Sequence, residues 1–289
     1  MKKSLFDKKK ILGNGLSQAK ADAKPWLFRF ARFGHMAQGF VYFLVGLLAI
    51  QTAFGLGGKL TTSQGALYTI GKQPFGFLVL IILAVGLSGY ACWQITRTIF
   101  DPENKGYTMK GIVSRISYLV VAVIYIGLCV STVKILLHTR VHTSSGHYQT
   151  LSARMLAQPF GQTIITITGT VILIVGIGQI FLALSGRFQK QLKKNEMSQN
   201  EWKWSKYLGK LGISARGVIF GIIGVFLIKT AIQADPDETK GLDGALAELA
   251  NQPFGPVILT IVSLGLIAYG IYMFAEARYK RLIHTKNKK

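Results

Sequence analysis

Acidic residues are scarce in this sequence. Only 12 Asp and Glu stand against 34 Lys and Arg, so the formal net charge is +22. Half of the 289 residues are hydrophobic, whereas an ordinary soluble domain is less apolar and far less skewed in charge. Charged residues of either sign are missing from five long stretches, which are 33–58, 73–96, 116–133, 155–186 and 249–275. The composition therefore excludes a typical soluble protein.

Cysteine is also rare, and its positions exclude a disulfide scaffold. The two cysteines, Cys92 and Cys129, both lie inside predicted helices, where we expect packed free thiols. The basic N-terminus is not followed by the apolar core of about 7–15 residues that a secretory signal peptide needs. We therefore expect no such peptide.

The uncharged stretches are long enough to cross a bilayer. A spanning helix needs about 20 apolar residues, because the hydrocarbon is about 30 Å thick and each residue rises about 1.5 Å. A sixth stretch, 211–228, is interrupted only by Arg216. The predicted fold class is therefore all-α, a polytopic membrane protein. Its six transmembrane helices are predicted at 32–54, 75–97, 115–137, 160–184, 210–232 and 256–277.

Basic residues alternate between rich and poor connections. The N-terminal segment to Arg32 has nine Lys and Arg, the connection 97–115 has four, the connection 187–210 has seven and the tail from Arg278 has six. The other three connections have only two, two and one Lys or Arg residues, and the last of these connections is acidic. Cytoplasmic loops carry the excess of Lys and Arg, so both termini are predicted to be cytoplasmic.

The tetrapeptide Q-P-F-G occurs three times, each time where a connection with few Lys and Arg residues meets the next helix. Proline suits the first helical position, and the residue before it favours a cap or loop end. Phenylalanine can anchor at the membrane interface, and glycine allows a neighbouring helix to approach closely. We expect a structural role for all twelve residues, which are Gln73, Pro74, Phe75 and Gly76; Gln158, Pro159, Phe160 and Gly161; and Gln252, Pro253, Phe254 and Gly255.

The flanks of the tetrapeptide repeat as well. The stretch ARFGHMAQGFVYFLVG from Ala31 aligns without gaps to GKLGISARGVIFGIIG from Gly209, whereas SRISYLVVAVIYIGLC from Ser114 loses the glycines. The stretch GALYTIGKQPFG from Gly65 matches GALAELANQPFG from Gly244, which predicts a short amphipathic helix before each proline. This is internal triplication of a helix pair. Units with two spans share one orientation, so the predicted arrangement is pseudo-threefold about the membrane normal.

These repeated motifs resemble the bacterial membrane family called domain of unknown function 1206, in which a two-helix unit occurs three times. The resemblance covers about residues 29–280 and implies a fold and a location in the bacterial inner membrane, but no reaction. The predicted segments are the basic N-terminal segment 1–28, repeat 1 at 29–104, repeat 2 at 112–188, the basic linker 189–205, repeat 3 at 206–280 and the tail 281–289.

Arg216 is the leading candidate binding residue, because an ionisable group inside a membrane is costly unless it snorkels or pairs. One interpretation is snorkelling to the cytoplasmic interface, and the other is a site for an anion or lipid headgroup within the bundle. Repeat 1 has Gln38 at the matching place. Each repeat also begins with a cation, and these complete the candidate set: Arg32, Arg115 and Lys210.

Three histidines form a weaker candidate for metal binding. His138, His142 and His147 cluster in one connection, and the first two share a face if the preceding helix continues. Arg140 lies between them and opposes a cation, so the main expectation is a solvated loop without metal.

No catalytic constellation is visible, so we expect neither enzymatic activity nor a cofactor. Helices one to four lack carboxylates, which argues against ion-coupled transport. The leading hypothesis is a non-catalytic structural, lipid-binding or interaction module. The alternative is a passive channel or transporter for a small solute, and the basic character favours an anion. Expected partners are anionic lipid headgroups at the cytoplasmic face and a protein partner or second copy, but not nucleic acid.

Overall fold

The computed structural model describes residues 2–100, 109–138 and 146–280. These ranges form nine α-helices and three short 3-10 turns, and their one strand-like feature is a single antiparallel bridge between Leu192 and Lys280. The helices are α1 (Lys2–Ala53), α2 (Ser63–Gly71), α3 (Gly76–Phe100), α4 (Met109–Leu136), α5 (Gly146–Leu156), α6 (Gly161–Leu184), α7 (Gln199–Gln233), α8 (Leu242–Ala250) and α9 (Gly255–Tyr279).

Six of these helices are long and apolar enough to cross a membrane, which confirms the six predicted spans. The spans lie in α1, α3, α4, α6, α7 and α9. Helix α7 begins well before the predicted start at residue 210, inside the segment assigned to the basic linker. The reason is a capping box, in which the Ser198 and Glu201 side chains each bind the other residue's backbone N–H.

One thiol prediction is wrong. Cys92 is exposed on the surface of α3 rather than packed, whereas Cys129 is half-buried with its Sγ 3.6 Å from the carbonyl oxygen of Ala84. The two cysteines are not joined by a disulfide. Packing decides which side of an apolar helix faces a neighbour, and the apolar run around Cys92 did not reveal it.

The repeats pack on one another in cyclic order. Helix α3 of repeat 1 packs on α4 of repeat 2, α6 of repeat 2 on α7 of repeat 3, and α9 of repeat 3 on α1 of repeat 1. Two of these interfaces use the same pair of positions: Tyr90 meets Tyr125 and Tyr269 meets Tyr42, with ring centroids 4.5 and 5.0 Å apart. This order agrees with the predicted pseudo-threefold arrangement.

The middle repeat departs from that symmetry. Helices α1 and α3 pack together within repeat 1, and α7 and α9 within repeat 3, but α4 and α6 do not form such a pair in the described residues. Their spans are 22% and 17% buried, compared with 50% for α1 and 56% for α9. The six spans therefore form an arc, in which α1 and α9 are central and α4 and α6 are the two ends.

The prediction that proline occupies the first helical position is wrong in all three copies of Q-P-F-G. Helices α3, α6 and α9 begin at the glycine instead, and the preceding phenylalanines adopt left-handed φ values of 62°, 65° and 62°. A tight turn causes this, because the glycine N–H donates back to the carbonyl of the glutamine three residues earlier. Gln73, Gln158 and Gln252 are therefore turn residues, exposed together with the proline and the phenylalanine.

The glycine of the motif has a different neighbour from the one expected. A Cβ at Gly161 or Gly255 would lie 1.8 Å from the carbonyl oxygen of Met155 or Ala250, and at Gly76 2.1 Å from that of Ile70. These carbonyls belong to the short helices α5, α8 and α2, and not to another membrane span. Glycine thus allows each short helix to fold back onto the span that follows it.

The three predicted short helices are confirmed, and they form a layer at one end of the bundle, which we call the turn end. Tyr148 of α5 donates to the Gln64 amide oxygen of α2 at 3.4 Å, and burial raises the pKa of this tyrosine. Thr239 Oγ1 donates to Ser152 Oγ at 2.8 Å, which ties α5 to repeat 3. The opposite end, which carries residues 97–100, 109–115 and 187–198, is called the basic end.

Candidate functional site

The site begins where α7 and α9 touch through glycine. A Cβ at Gly212 would lie 2.4 Å from the Cα of Tyr269, so the two backbones are in contact there. One turn further along α7, Arg216 therefore lies beside the same tyrosine. Its Nη1 donates to the Tyr269 hydroxyl at 2.5 Å. Close helix approach through small residues is what positions this cation within the bundle.

Three aromatic rings surround the Arg216 guanidinium. Its central carbon lies 4.8 Å from the ring centroid of Phe220, 5.1 Å from that of Tyr269 and 5.5 Å from that of Tyr42. All are within the range of about 6 Å at which a ring face attracts a cation. Aromatic side chains from three helices, α1, α7 and α9, therefore surround this cation at the centre of the arc.

A cavity of about 140 Å³ adjoins Arg216. It opens among α6, α7 and α9, and residues that follow α6 contribute to its wall, so it lies in the half of the bundle nearer the basic end. The Arg216 Nε atom is buried and has no hydrogen-bond partner. The other lining residues are Gln179, Leu182, Phe188, Gln191, Ile213, Tyr269, Tyr272, Met273 and Glu276.

Glu276, on the cavity wall, belongs to a buried ion pair. Lys280 donates from its Nζ to the Glu276 carboxylate and lies 3.2 Å from Nε2 of His35 in α1. The other ring nitrogen of His35, Nδ1, lies 2.7 Å from the Ala31 carbonyl oxygen. Because a carbonyl only accepts, Nδ1 carries the hydrogen and Nε2 accepts from Lys280. This triad joins the basic ends of α1 and α9.

A second polar chain runs along α3. Arg97 donates to the Gln94 amide oxygen at 3.0 Å, and the Gln94 amide nitrogen donates to the Tyr90 hydroxyl at 3.3 Å. The Arg97 guanidinium lies 3.7 Å from the ring centroid of Tyr118 in α4. The Tyr90 ring in turn packs edge-on against His35 at 5.0 Å. The polar groups of α1, α3, α4 and α9 thus meet at the basic end.

Three tandem regions of the chain, 33–101, 116–186 and 211–280, match the family model described as Domain of Unknown Function (DUF1206). The chain belongs to the DUF1206 family. The chain is also 39% identical over 271 residues to "Uncharacterized protein YxxB" of Bacillus subtilis (strain 168), and this match covers 94% of the chain and 98% of that relative. No solved structure matches this chain. The resemblance predicted from the repeats is confirmed.

The five predicted binding residues lie in different surroundings in this DUF1206 chain. Only Arg216 lines the cavity, where it is half-buried and donates to the Tyr269 hydroxyl. Gln38 is fully buried, and neither of its amide atoms has a hydrogen-bond partner. Arg32 and Arg115 are half-buried, and Lys210 is exposed.

The weaker alternative of a metal site at the three histidines depended on the preceding helix continuing, and the structure removes that condition. Helix α4 ends at Leu136, and His138 has a left-handed φ of 55°, so the helix does not continue through the histidines. His142 and the side chain of His147 lie outside the described residues. Among the side chains that are described, no group of three His, Cys, Asp or Glu is arranged to hold a metal ion.

The sequence did not predict the triad of His35, Glu276 and Lys280, which joins repeat 1 to repeat 3. His35 is an ionisable residue inside the first span, which by itself is a signal of a functional or paired group. Glu276 and Lys280 are four residues apart near the end of a helix, a spacing that places them on one face. The tyrosine pairs were visible only in part, since Tyr42 and Tyr125 occupy equivalent positions but their partners lie on other helices.

Proposed function

We propose that this protein is a non-catalytic membrane protein that binds an anionic group in the Arg216 cavity. The carrying observation is the uncompensated charge of Arg216 beside a polar cavity. No carboxylate of the described residues pairs with Arg216, while Glu276, which also lines the cavity, is paired with Lys280. Because Lys280 compensates Glu276, the charge left without an ionic partner at the cavity is that of Arg216, which favours an anion in a medium of low dielectric constant.

The neutral groups of the cavity also suit an anion. A tyrosine hydroxyl both donates and accepts, so Tyr269, which accepts from Arg216, keeps its own hydrogen to donate. The side-chain amides of Gln179 and Gln191 add donors on the wall next to α6. A phosphate or carboxylate group would be bound by charge-assisted hydrogen bonds, the stronger class.

A phospholipid headgroup and a soluble anion share this chemistry. The excess of Lys and Arg at the basic end supports a cytoplasmic location for the cavity, where anionic lipids concentrate. The aromatic filling of the arc centre supports a binding site rather than the alternative of a passive channel or transporter. We assign the protein to the bacterial inner membrane on the same grounds, with both termini in the cytoplasm.

Replacing Arg216 with glutamine is expected to weaken anion binding by about tenfold or more, because hydrogen bonds to a charged group are worth about 1.5–3 kcal/mol. The protein would be reconstituted in phosphatidylcholine nanodiscs, and binding of phosphatidylglycerol and of inorganic phosphate would be measured separately. Lys210→Gln is the matched control, because Lys210 is an exposed cation on the same helix.

The two probes distinguish the sources of the anion. Binding of phosphatidylglycerol alone identifies a lipid headgroup, and binding of phosphate identifies a soluble anion. If neither probe binds the native protein, or if R216Q and K210Q lose affinity equally, the proposal is wrong.

The proposed orientation predicts that the turn end faces away from the cytoplasm. In a variant without Cys92 and Cys129, Gln73→Cys and Gln252→Cys should react with an impermeant maleimide added outside, and Lys206→Cys should not. All three positions are exposed, so differences in reaction report the side of the membrane. Labelling of residues 73 and 252 from opposite sides would contradict the threefold repeat of one orientation.

A further inference from the structure

The middle repeat is the place where the arc is open. Helices α4 and α6 follow one another in the chain, yet α4 packs on α3 and α6 packs on α7, at opposite ends of the arc. The equivalent helices of repeats 1 and 3 pack together as hairpins. We call the space between α4 and α6 the middle cleft, and we assign to it four residues by equivalence with Phe33, Ala37, Gly86 and Gly89, which lie at the α1–α3 contact: Ile116, Val120, Val171 and Ile174.

Three substitutions in the repeat pattern explain the opening. In repeat 1 a Cβ at Gly86 would lie 2.5 Å from the Cβ of Ala37, and in repeat 3 a Cβ at Gly265 would lie 2.3 Å from that of Ala215. The closed hairpin thus requires glycine facing alanine. In repeat 2, Val171 stands at the same distance from Q-P-F-G as Gly86 and Gly265 do in their repeats, and Val120 stands at the same distance from the initial cation as Ala37 and Ala215 do. Ser117 replaces the glycine found at positions 34 and 212.

The middle cleft exposes the residues that its neighbours bury. Val120 is 47% exposed and Val171 46%, whereas Ala37 is 5% and Ala215 7% exposed. Ile116 and Ile174 are 56% and 63% exposed. Two bulky valines cannot approach as closely as glycine and alanine do, so the apolar walls of the cleft remain bare.

The cleft has charge at its basic end. Along α6 the apolar stripe continues from Ile174 to Gly178, where an added Cβ would meet nothing within 4 Å, and then to Phe181. The Arg187 guanidinium lies 5.3 Å from the Phe181 ring centroid, and Arg187 is exposed. The apolar stripe of α6 thus ends at an exposed cation.

We propose that the middle cleft binds one phospholipid with an anionic headgroup, its acyl chains between α4 and α6 and its phosphate at Arg187. Charge complementarity at the basic end and the bare apolar walls carry this proposal. A partner helix is less suited to these walls, because helices approach through small residues and the cleft has valine and isoleucine in those positions. This site is separate from the Arg216 cavity and does not depend on it.

The test uses the full chain in phosphatidylcholine nanodiscs that contain phosphatidylglycerol with a photoreactive group in the acyl chain. Crosslinks should concentrate on Ile174 and Phe181 relative to Val257 and Ile261, which are exposed to a similar degree on α9 outside the cleft. Equal labelling of both faces would show a non-specific lipid shell and overturn the proposal. Labelling at Ile174 and Phe181 that is weaker than at Val257 and Ile261 would also overturn it, because a second copy or another protein would then cover the cleft.

Two variants separate the cleft from its surroundings. Arg187→Gln should lower the preference for phosphatidylglycerol over phosphatidylcholine at the cleft by about fivefold, since one basic residue near the surface is worth about 1 kcal/mol. Lys206→Gln, an exposed cation on α7, should not. The double variant V120A/V171G restores the residues of repeats 1 and 3, and should close the hairpin and abolish cleft labelling. Unchanged labelling in R187Q would refute the assignment of the headgroup, even if the double variant fails to fold.

Discussion

Glu276→Gln is expected to destabilise the protein by about 3–5 kcal/mol, the cost of removing one partner of a buried ion pair. The Glu276 and Lys280 side chains are only 9% and 12% exposed, so the remaining ammonium would be left in the bundle with little water. It would keep only its contact with His35, which is neutral. Unfolding in mixed micelles, followed by tyrosine or tryptophan fluorescence, measures the loss.

An exposed pair provides the control for this prediction. Lys193 and Glu196 are 2.7 Å apart, but their side chains are 33% and 55% exposed, so Glu196→Gln should change the free energy of unfolding by less than about 1 kcal/mol. The double variant E276Q/K280Q should recover part of the loss, because it leaves no unpaired charge. If E276Q is as mild as E196Q, the pair is solvated and the triad does not join α1 to α9.

Gly212→Ala is expected to cost about 1–3 kcal/mol, because the added methyl group would overlap the backbone of Tyr269. The Cβ would lie 2.4 Å from the Tyr269 Cα and 2.5 Å from its nitrogen, so α7 and α9 must separate. Since Tyr269 holds Arg216, affinity for phosphatidylglycerol or phosphate should fall together with stability. Thermal unfolding and the nanodisc binding assay measure the two effects.

Gly221→Ala on the same helix is the matched control. An added Cβ there meets nothing within 4 Å, so alanine should be neutral or should stabilise by up to about 1 kcal/mol through its higher helix propensity. Both substitutions add one methyl group to α7. A loss of stability in G212A together with no loss in G221A would therefore identify the contact between α7 and α9 as the cause. Similar losses in both variants would show that the α7–α9 contact at Gly212 is not tight.

Individual residues show how far sequence reasoning reached within the repeats. The Gly34 and Gly212 pattern predicted equivalent hairpins, and both glycines do contact the equivalent tyrosines, Tyr90 and Tyr269. The proline of Q-P-F-G was assigned to the first helical position by its preference alone. The left-handed phenylalanine that displaced it, as at Phe160, depends on the preceding short helix folding back, which no local preference encodes.

The sequence predicted only one feature of the candidate site, the positive charge of Arg216. Arg216 stands out in sequence because a cation interrupts an apolar run, and the cavity beside it agrees with that signal. Tyr269 is 53 residues away and Tyr42 is on the first helix, so their convergence on Arg216 requires the cyclic packing of the repeats. Glu276 near a basic helix end was indistinguishable from a solvated residue until its burial against α1 was known.

Hydrophobic length, charge alternation and internal repetition, all local or periodic properties, determined from the sequence alone six spans in three equivalent units. Which spans touch was decided only by tertiary structure, because contact depends on whether facing positions both carry small residues. Valine in place of glycine and alanine leaves the middle hairpin apart, and glycine at 212 brings Arg216 to Tyr269. Both outcomes follow from steric fit between distant segments, which hydropathy does not describe.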